Sequence, residues 1–256
     1  MMALRKVAVL AVAPFLLMAG CSAFFGVNLL QGLDRVSTPS AADYQGAGGL
    51  AKLARDLGSP AIVDALKSHP SATADIESLL QGIISSGSLP DSQTASILLG
   101  DITLKTTSGD QVVNNAVELA LNPPTNPTIN DILKDIIPAD VAADPTLFAN
   151  MVNGLLAAKS VYAVLGTATP PGTPLPPGTN GGDLVEKATV AYLMDDAVRQ
   201  AAAANLLTID ATIGEMFKLV NNQTNAVSGF VVNAPTNPPD SWLNNLYTAA
   251  DVPLPG

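Results

Sequence analysis

Apolar residues recur at helical spacing along most of the chain, and helix start and stop signals separate the runs they form. Leu50, Leu53, Ala54 and Leu57 stand at i, i+3, i+4 and i+7, and Gly58 ends the stripe. Ser59-Pro60 reads as an N-cap followed by proline at the first helical position, leading into Ile62, Val63 and Leu66. Ile76, Leu79, Leu80, Ile83 and Ile84 form the next stripe, closed by Gly87. Helices are also expected over Asp91–Leu104 and Gly109–Leu121. Thr128 is placed to cap Ile129–Ile137, which Pro138 ends. Asp144-Pro145 opens the strongest stripe, with Leu147, Phe148, Met151, Val152, Leu155, Leu156 and Tyr162 on one broad face up to Gly166.

The pattern breaks at Thr167–Gly182. Five prolines and four glycines in 16 residues form neither a helix nor a sheet ladder. This is a surface loop or a linker. Asp183–Leu207 then reads as a long alanine-rich helix. Thr208 caps another, carrying Ile209, Ile213, Met216, Phe217 and Val220. From Pro235 onwards the chain reads as short turns around one brief helix near Trp242–Tyr247. The fold class expected is all-α: a compact multi-helix domain, with helical regions at 50–166 and 183–256 joined by the 167–182 loop.

One echo raises the alternative of two duplicated helical halves. Asn122-Pro-Pro-Thr-Asn-Pro127 matches Asn233-Ala-Pro-Thr-Asn-Pro238 at an offset of 111, and Ala139-Asp140-Val141 matches Ala250-Asp251-Val252 at the same offset. Asn-Pro-Thr turns also recur by composition alone in a chain with 20 prolines.

The N-terminus has a different pattern. Arg5 and Lys6 precede an apolar run, Val7–Met18, of twelve residues. A bilayer span needs about 20, so the run has signal-peptide proportions. It ends in Leu16-Leu17-Met18-Ala19-Gly20-Cys21. This arrangement resembles the signal peptide and lipobox of bacterial lipoproteins, with Met18 where that family prefers Leu. The resemblance covers residues 1–21 and implies that residues 1–20 are removed. Cys21 then carries diacylglycerol and usually a further acyl chain such as palmitate. Two or more chains at about 0.8 kcal/mol per buried CH₂ give stable anchoring. Ser22, where enterobacterial relatives retained at the inner membrane tend to carry Asp, favours the outer membrane. Phe25, Leu29, Leu30 and Leu33 follow at near-helical spacing, and Ser37–Gly49 reads as a small, polar tether, so that 21–49 forms the lipidated N-terminus.

Composition narrows the chemistry. Cys21 is the single cysteine, so no disulfide forms within the chain, and core packing must stabilise it. Hydrophobic residues make up 48% and aromatics only 4%, which favours helices packed closely through small side chains. From Cys21 on, 10 basic residues face 22 acidic ones. Such a chain repels nucleic acid and anionic headgroups. Acyl chains, not charge, must hold it to the membrane. No second apolar run approaches 18 residues.

Catalytic and metal signatures are sparse. With Cys21 acylated and His69 the only histidine, no thiolate or imidazole cluster assembles, and no metal or cofactor is expected. His69 precedes Pro70 at a helix end, where an imidazole suits the helix dipole. The chain contains no G-x-S-x-G, no S-x-x-K and no phosphate-binding glycine loop. Asp195-Asp196 is the only adjacent acidic pair. Neighbouring helical positions diverge, so the pair reads as part of a solvated face. Trp242 and Tyr247 fall close together: exposed, they would anchor a partner; buried, they would close the core.

The expectation is a non-catalytic envelope lipoprotein that binds or scaffolds another envelope protein. The alternatives are a carrier of a small apolar ligand between its helices and a carboxylate-pair cell-wall hydrolase.

Overall fold

Helix starts follow the caps and prolines of the sequence. The computed structural model describes residues 37–170, 172–233 and 240–253. Among these, a 3-10 turn at Ala41–Tyr44 precedes eleven α-helices and no strand occurs. They are α1 (Gly49–Asp56), α2 (Pro60–Ser68), α3 (Pro70–Ser86), α4 (Leu89–Thr106), α5 (Gly109–Leu121) and α6 (Ile129–Ile136). Then come α7 (Ala139–Ala143), α8 (Pro145–Ala168), α9 (Gly181–Asn205), α10 (Ile209–Val220) and α11 (Ser241–Ala249). The all-α expectation holds. Proline occupies the first or second position of α2, α3, α4 and α8, where its missing N–H costs no helical bond. Thr128 and Asp131 close a capping box on α6, and Asp144 accepts from the Thr146 and Leu147 N–H groups at the head of α8.

The apolar interior has two parts. The first gathers Tyr44, Leu53, Leu57, Leu66, Ile76 and Leu80 against Ala95, Leu98, Leu99 and Ile102 of α4. The second is larger and runs from Leu104 to Tyr247 around α8 and α9. Helix α8 is central: α4, α9, α10 and α11 all pack on it. By length and composition α8 is apolar enough to cross a membrane. Asn150, Asn153 and Lys159 interrupt its apolar run in the sequence. Here it is the core helix, with Phe148, Met151, Val152, Leu155, Ala158 and Tyr162 fully buried.

Small residues set the helix spacing. At Gly100, where α4 crosses α8, a Cβ would lie 2.5 Å from Cε1 of Tyr162. At Gly166 it would collide with the Trp242 carbonyl of α11. Both glycines stand where no side chain fits.

Three expectations need revision. The stretch 37–49 is folded onto the body from Thr38: Pro39 and Tyr44 are buried, and the Tyr44 hydroxyl donates to Asp56 Oδ2 at 3.2 Å. Apolar spacing says nothing about a lone tyrosine in a small, polar segment. The loop begins two residues later than composition suggested and spans 169–180, since α8 runs to Ala168 and α9 starts at Gly181. At the 111-residue offset helices recur only in part: α3 falls on the first part of α9 and α6 on α11, whereas α2 falls on that loop and α5 largely on the irregular 221–233 stretch. Residues 234–238 of the echo lie outside the described residues, as do residues 1–36, including Cys21 and the stripe of Phe25, Leu29, Leu30 and Leu33.

Candidate functional site

Two concavities formed by the described residues stand out. The first is an apolar groove of about 410 Å³ walled by α5, α6 and α9. Helix α5 contributes Ala116, Leu119 and Ala120, and the loop that follows adds Pro123, Pro124 and Pro127. Ile132 and Leu133 of α6 and Leu193 and Met194 of α9 also line it, Leu133 and Met194 being buried. None of the lining residues carries a charge. The three prolines bring no N–H, and the helical backbone bonds to itself, so the walls offer few polar groups. Leu193 stays 42% exposed and Leu121, at the end of α5, 76%. The loop reverses at Asn126, whose φ of 53° is a left-handed value that asparagine tolerates.

The second concavity is a larger cleft of about 980 Å³ between the first core and the 176–184 segment. Asp91, Asp101 and Asp183 line it. Lys187 Nζ donates to Asp101 Oδ1 at 2.8 Å and to Asp183 Oδ2 at 2.6 Å. Burial works against the Lys187 ammonium, but the two carboxylates outweigh it and hold its pKa above the ordinary value. Burial also raises the Asp101 pKa, with Lys187 pulling against it. Two acids sharing one ammonium lie no farther apart than the ~5.5 Å of a retaining glycosidase pair. The ammonium, however, stands between them, where a glycosidic oxygen or water would have to sit. The cluster ties α4 to α9. Asp183–Lys187 is legible in the sequence as an i, i+4 pair, but Asp101, 86 residues away, has no sequence signal linking it.

The acidic pair Asp195-Asp196 is not on a solvated face. Asp195 is 4% exposed and Asp196 8%. Asp195 accepts two bonds from Arg199 Nε at 2.9 Å and faces Lys159 Nζ of α8 at 3.4 Å. Asp196 accepts from Gln200 Nε2 at 2.6 Å. Partners one turn along α9 and on α8 offset the desolvation of these carboxylates. Hydropathy assigns every aspartate to the surface, so the burial was not foreseeable from α9 alone.

Trp242 and Tyr247 are also buried, at 7% and 8% exposure, which leaves little of either ring for a partner. The Trp242 indole N–H donates to Asp240 Oδ2 at 2.9 Å, and its ring meets Tyr192 edge-on at 6.1 Å. The Tyr247 hydroxyl pairs with Thr189 Oγ1 at 2.8 Å. Together they dock α11 on α9. His69 joins α2 to α3, its Nδ1 2.8 Å from the Ala65 carbonyl oxygen and 3.3 Å from Thr38 Oγ1. Among the described residues no three His, Cys, Asp or Glu side chains group as metal ligands.

Glu215 organises the 221–233 stretch. It accepts from the Ala226 and Val227 N–H groups at 2.8 and 3.4 Å and pairs with Lys218 at 2.7 Å. The Lys218 hydrogen bond, with those from the loop, lowers its pKa to about 2.

No protein-family model, curated protein or solved structure matches this chain.

Proposed function

We propose that this chain is a bacterial envelope lipoprotein, anchored in the membrane through acylated Cys21, whose helical body works by binding another envelope component. The run Arg5–Cys21 carries the reading: basic start, short apolar core, small residues and then the single cysteine. Ser22 after the cysteine supports the outer membrane over the inner. The acidic composition supports a partner other than nucleic acid. The test compares wild type with Cys21→Ala in detergent-solubilised envelopes, by pull-down and mass spectrometry. The reading expects an acylated N-terminal peptide and one retained envelope protein in the wild type, with acylation lost in Cys21→Ala. An unmodified peptide that begins upstream of Cys21 overturns the anchor; retention of no protein overturns the scaffold.

The hydrolase alternative has one observation in its favour, the Asp101 and Asp183 carboxylates in one cleft. Lys187 between them argues for a structural tie. Release of soluble fragments from purified cell wall, lost in Asp101→Asn, would restore it.

A further inference from the structure

The chain holds two asparagine–glycine pairs, Asn153-Gly154 and Asn180-Gly181, and the fold treats them differently. Glycine after asparagine leaves the backbone nitrogen open to the side-chain carbonyl, because no Cβ stands in the way. Both asparagines are exposed, so access to water does not separate them. The backbone does. Asn153 and Gly154 lie within α8, where the Gly154 N–H belongs to the helical ladder. Gly154 is buried, and a Cβ there would collide with the Thr107 side chain. Asn180 is instead the N-cap of α9 and follows an irregular stretch in which Gly178 has a φ of 86°. Gly181 is the first helical residue, so its N–H has no acceptor within the helix. Asn180 is held by the Asp183 N–H, which donates to its Oδ1 at 3.3 Å, and by the Leu184 N–H, which donates to its carbonyl oxygen at 3.1 Å.

We infer that Asn180 is a site of spontaneous deamidation and that the fold protects Asn153 from the same reaction. The Gly181 backbone nitrogen attacks Asn180 Cγ. The N–Cγ bond forms, the Cγ–Nδ2 bond breaks, and the Gly181 proton leaves with Nδ2, through solvent, as ammonia. Water then opens the succinimide at either carbonyl and leaves aspartate or isoaspartate at 180. Ring closure requires the Asn180 ψ to turn away from 98°. At a helix end only the two cap bonds oppose that rotation, and terminal turns fray at a free energy near zero. At Asn153 the same rotation must open the interior of α8. Asn180 and Asp183 both line the larger cleft, so conversion adds a carboxylate to that cleft. The chemistry needs neither the anchor nor a partner.

The test incubates the full chain at mildly alkaline pH in heavy-oxygen water, one sample folded and one in urea. Peptides are mapped by mass spectrometry with electron-transfer fragmentation, which separates aspartate from isoaspartate. The expected result in the folded chain is conversion at 180, with heavy oxygen incorporated, at least about tenfold faster than at 153. A tenfold ratio corresponds to ~1.4 kcal/mol of extra opening free energy at 153. In urea the two rates should converge. Asn180→Ser keeps an N-cap oxygen and should abolish the conversion at 180. An Asn180 that stays unmodified in the folded chain overturns the site. Heavy oxygen still entering that peptide in Asn180→Ser overturns the assignment to this side chain. Equal rates at 153 and 180 in the folded chain, or the same rate difference in urea, overturn protection by the fold.

Discussion

The two apolar cores are built differently. The first, from Tyr44 to Ile102, is assembled from helices close in sequence, and α1, α2 and α3 each bury one stripe on α4. The second, from Leu104 to Tyr247, is wrapped around α8 and α9, helices of 24 and 25 residues that are buried on several sides. One-sided burial leaves an amphipathic pattern in the sequence. Burial on several sides broadens it, as on the wide apolar face of α8, because more of the helix surface needs apolar or small residues. Polar groups then enter the interior only with partners from elsewhere in the chain, as Asp195 does with Lys159 of α8. The first core is local and periodic; the second depends on non-local pairing.

Substitutions in each core test this contrast. The largest expected effect is in the second. Asp195→Ala leaves Lys159 largely buried without its carboxylate, and removing one partner of a buried pair costs about 3–5 kcal/mol. The urea midpoint should fall sharply, and a change under about 1 kcal/mol would show the pair to be as dispensable as a surface salt bridge.

Leu80→Ala empties a fully buried site in the first core, at about 2–5 kcal/mol. If that core is a separate cooperative unit, hydrogen exchange should rise in α1–α3 and stay slow in α8 and α9. A uniform rise would make the two cores one unit and break the comparison.

A smaller, pH-dependent effect is expected where the second core is closed by the 221–233 stretch. The folded-state pKa of Glu215 is depressed from 4.5 to about 2. Its stabilising contribution is therefore complete above pH 4.5 and lost as the pH falls towards 2. Phe230 and Val232, buried by that stretch, should gain exchange over this window. Glu215→Gln should remove the pH dependence and cost about 1 kcal/mol. Pronounced pH dependence persisting in the variant would assign it to another group.

The smallest effect has the opposite sign. The Tyr162 hydroxyl is fully buried without a hydrogen-bond partner. Tyr162→Phe removes that unsatisfied group and should stabilise by up to about 1 kcal/mol. Destabilisation in thermal melts would mean that the hydroxyl is satisfied in solution.

The candidate sites divide along the same line. In the groove, the apolar residues of α5 and α6 were visible as helical periodicity, and the Asn-Pro-Pro-Thr-Asn-Pro segment as a helix break. That α9 would come alongside was not visible, because Leu193 and Met194 sit in a sequence read only as a helix. In the cleft, Asp183–Lys187 was readable and Asp101 was not.

By itself the sequence determined the helices, most of their caps and the all-α class, because these follow from spacing and from side chains bonding within a turn. It also contains the N-terminal signal pattern on which the anchoring proposal rests. Only the tertiary structure decided which polar residues are buried, where Trp242 and Tyr247 lie, and which helices wall the groove. Those outcomes depend on contacts between segments far apart in the chain. A residue's own neighbours fix its helix, but the free energy of burying it depends on what packs across from it.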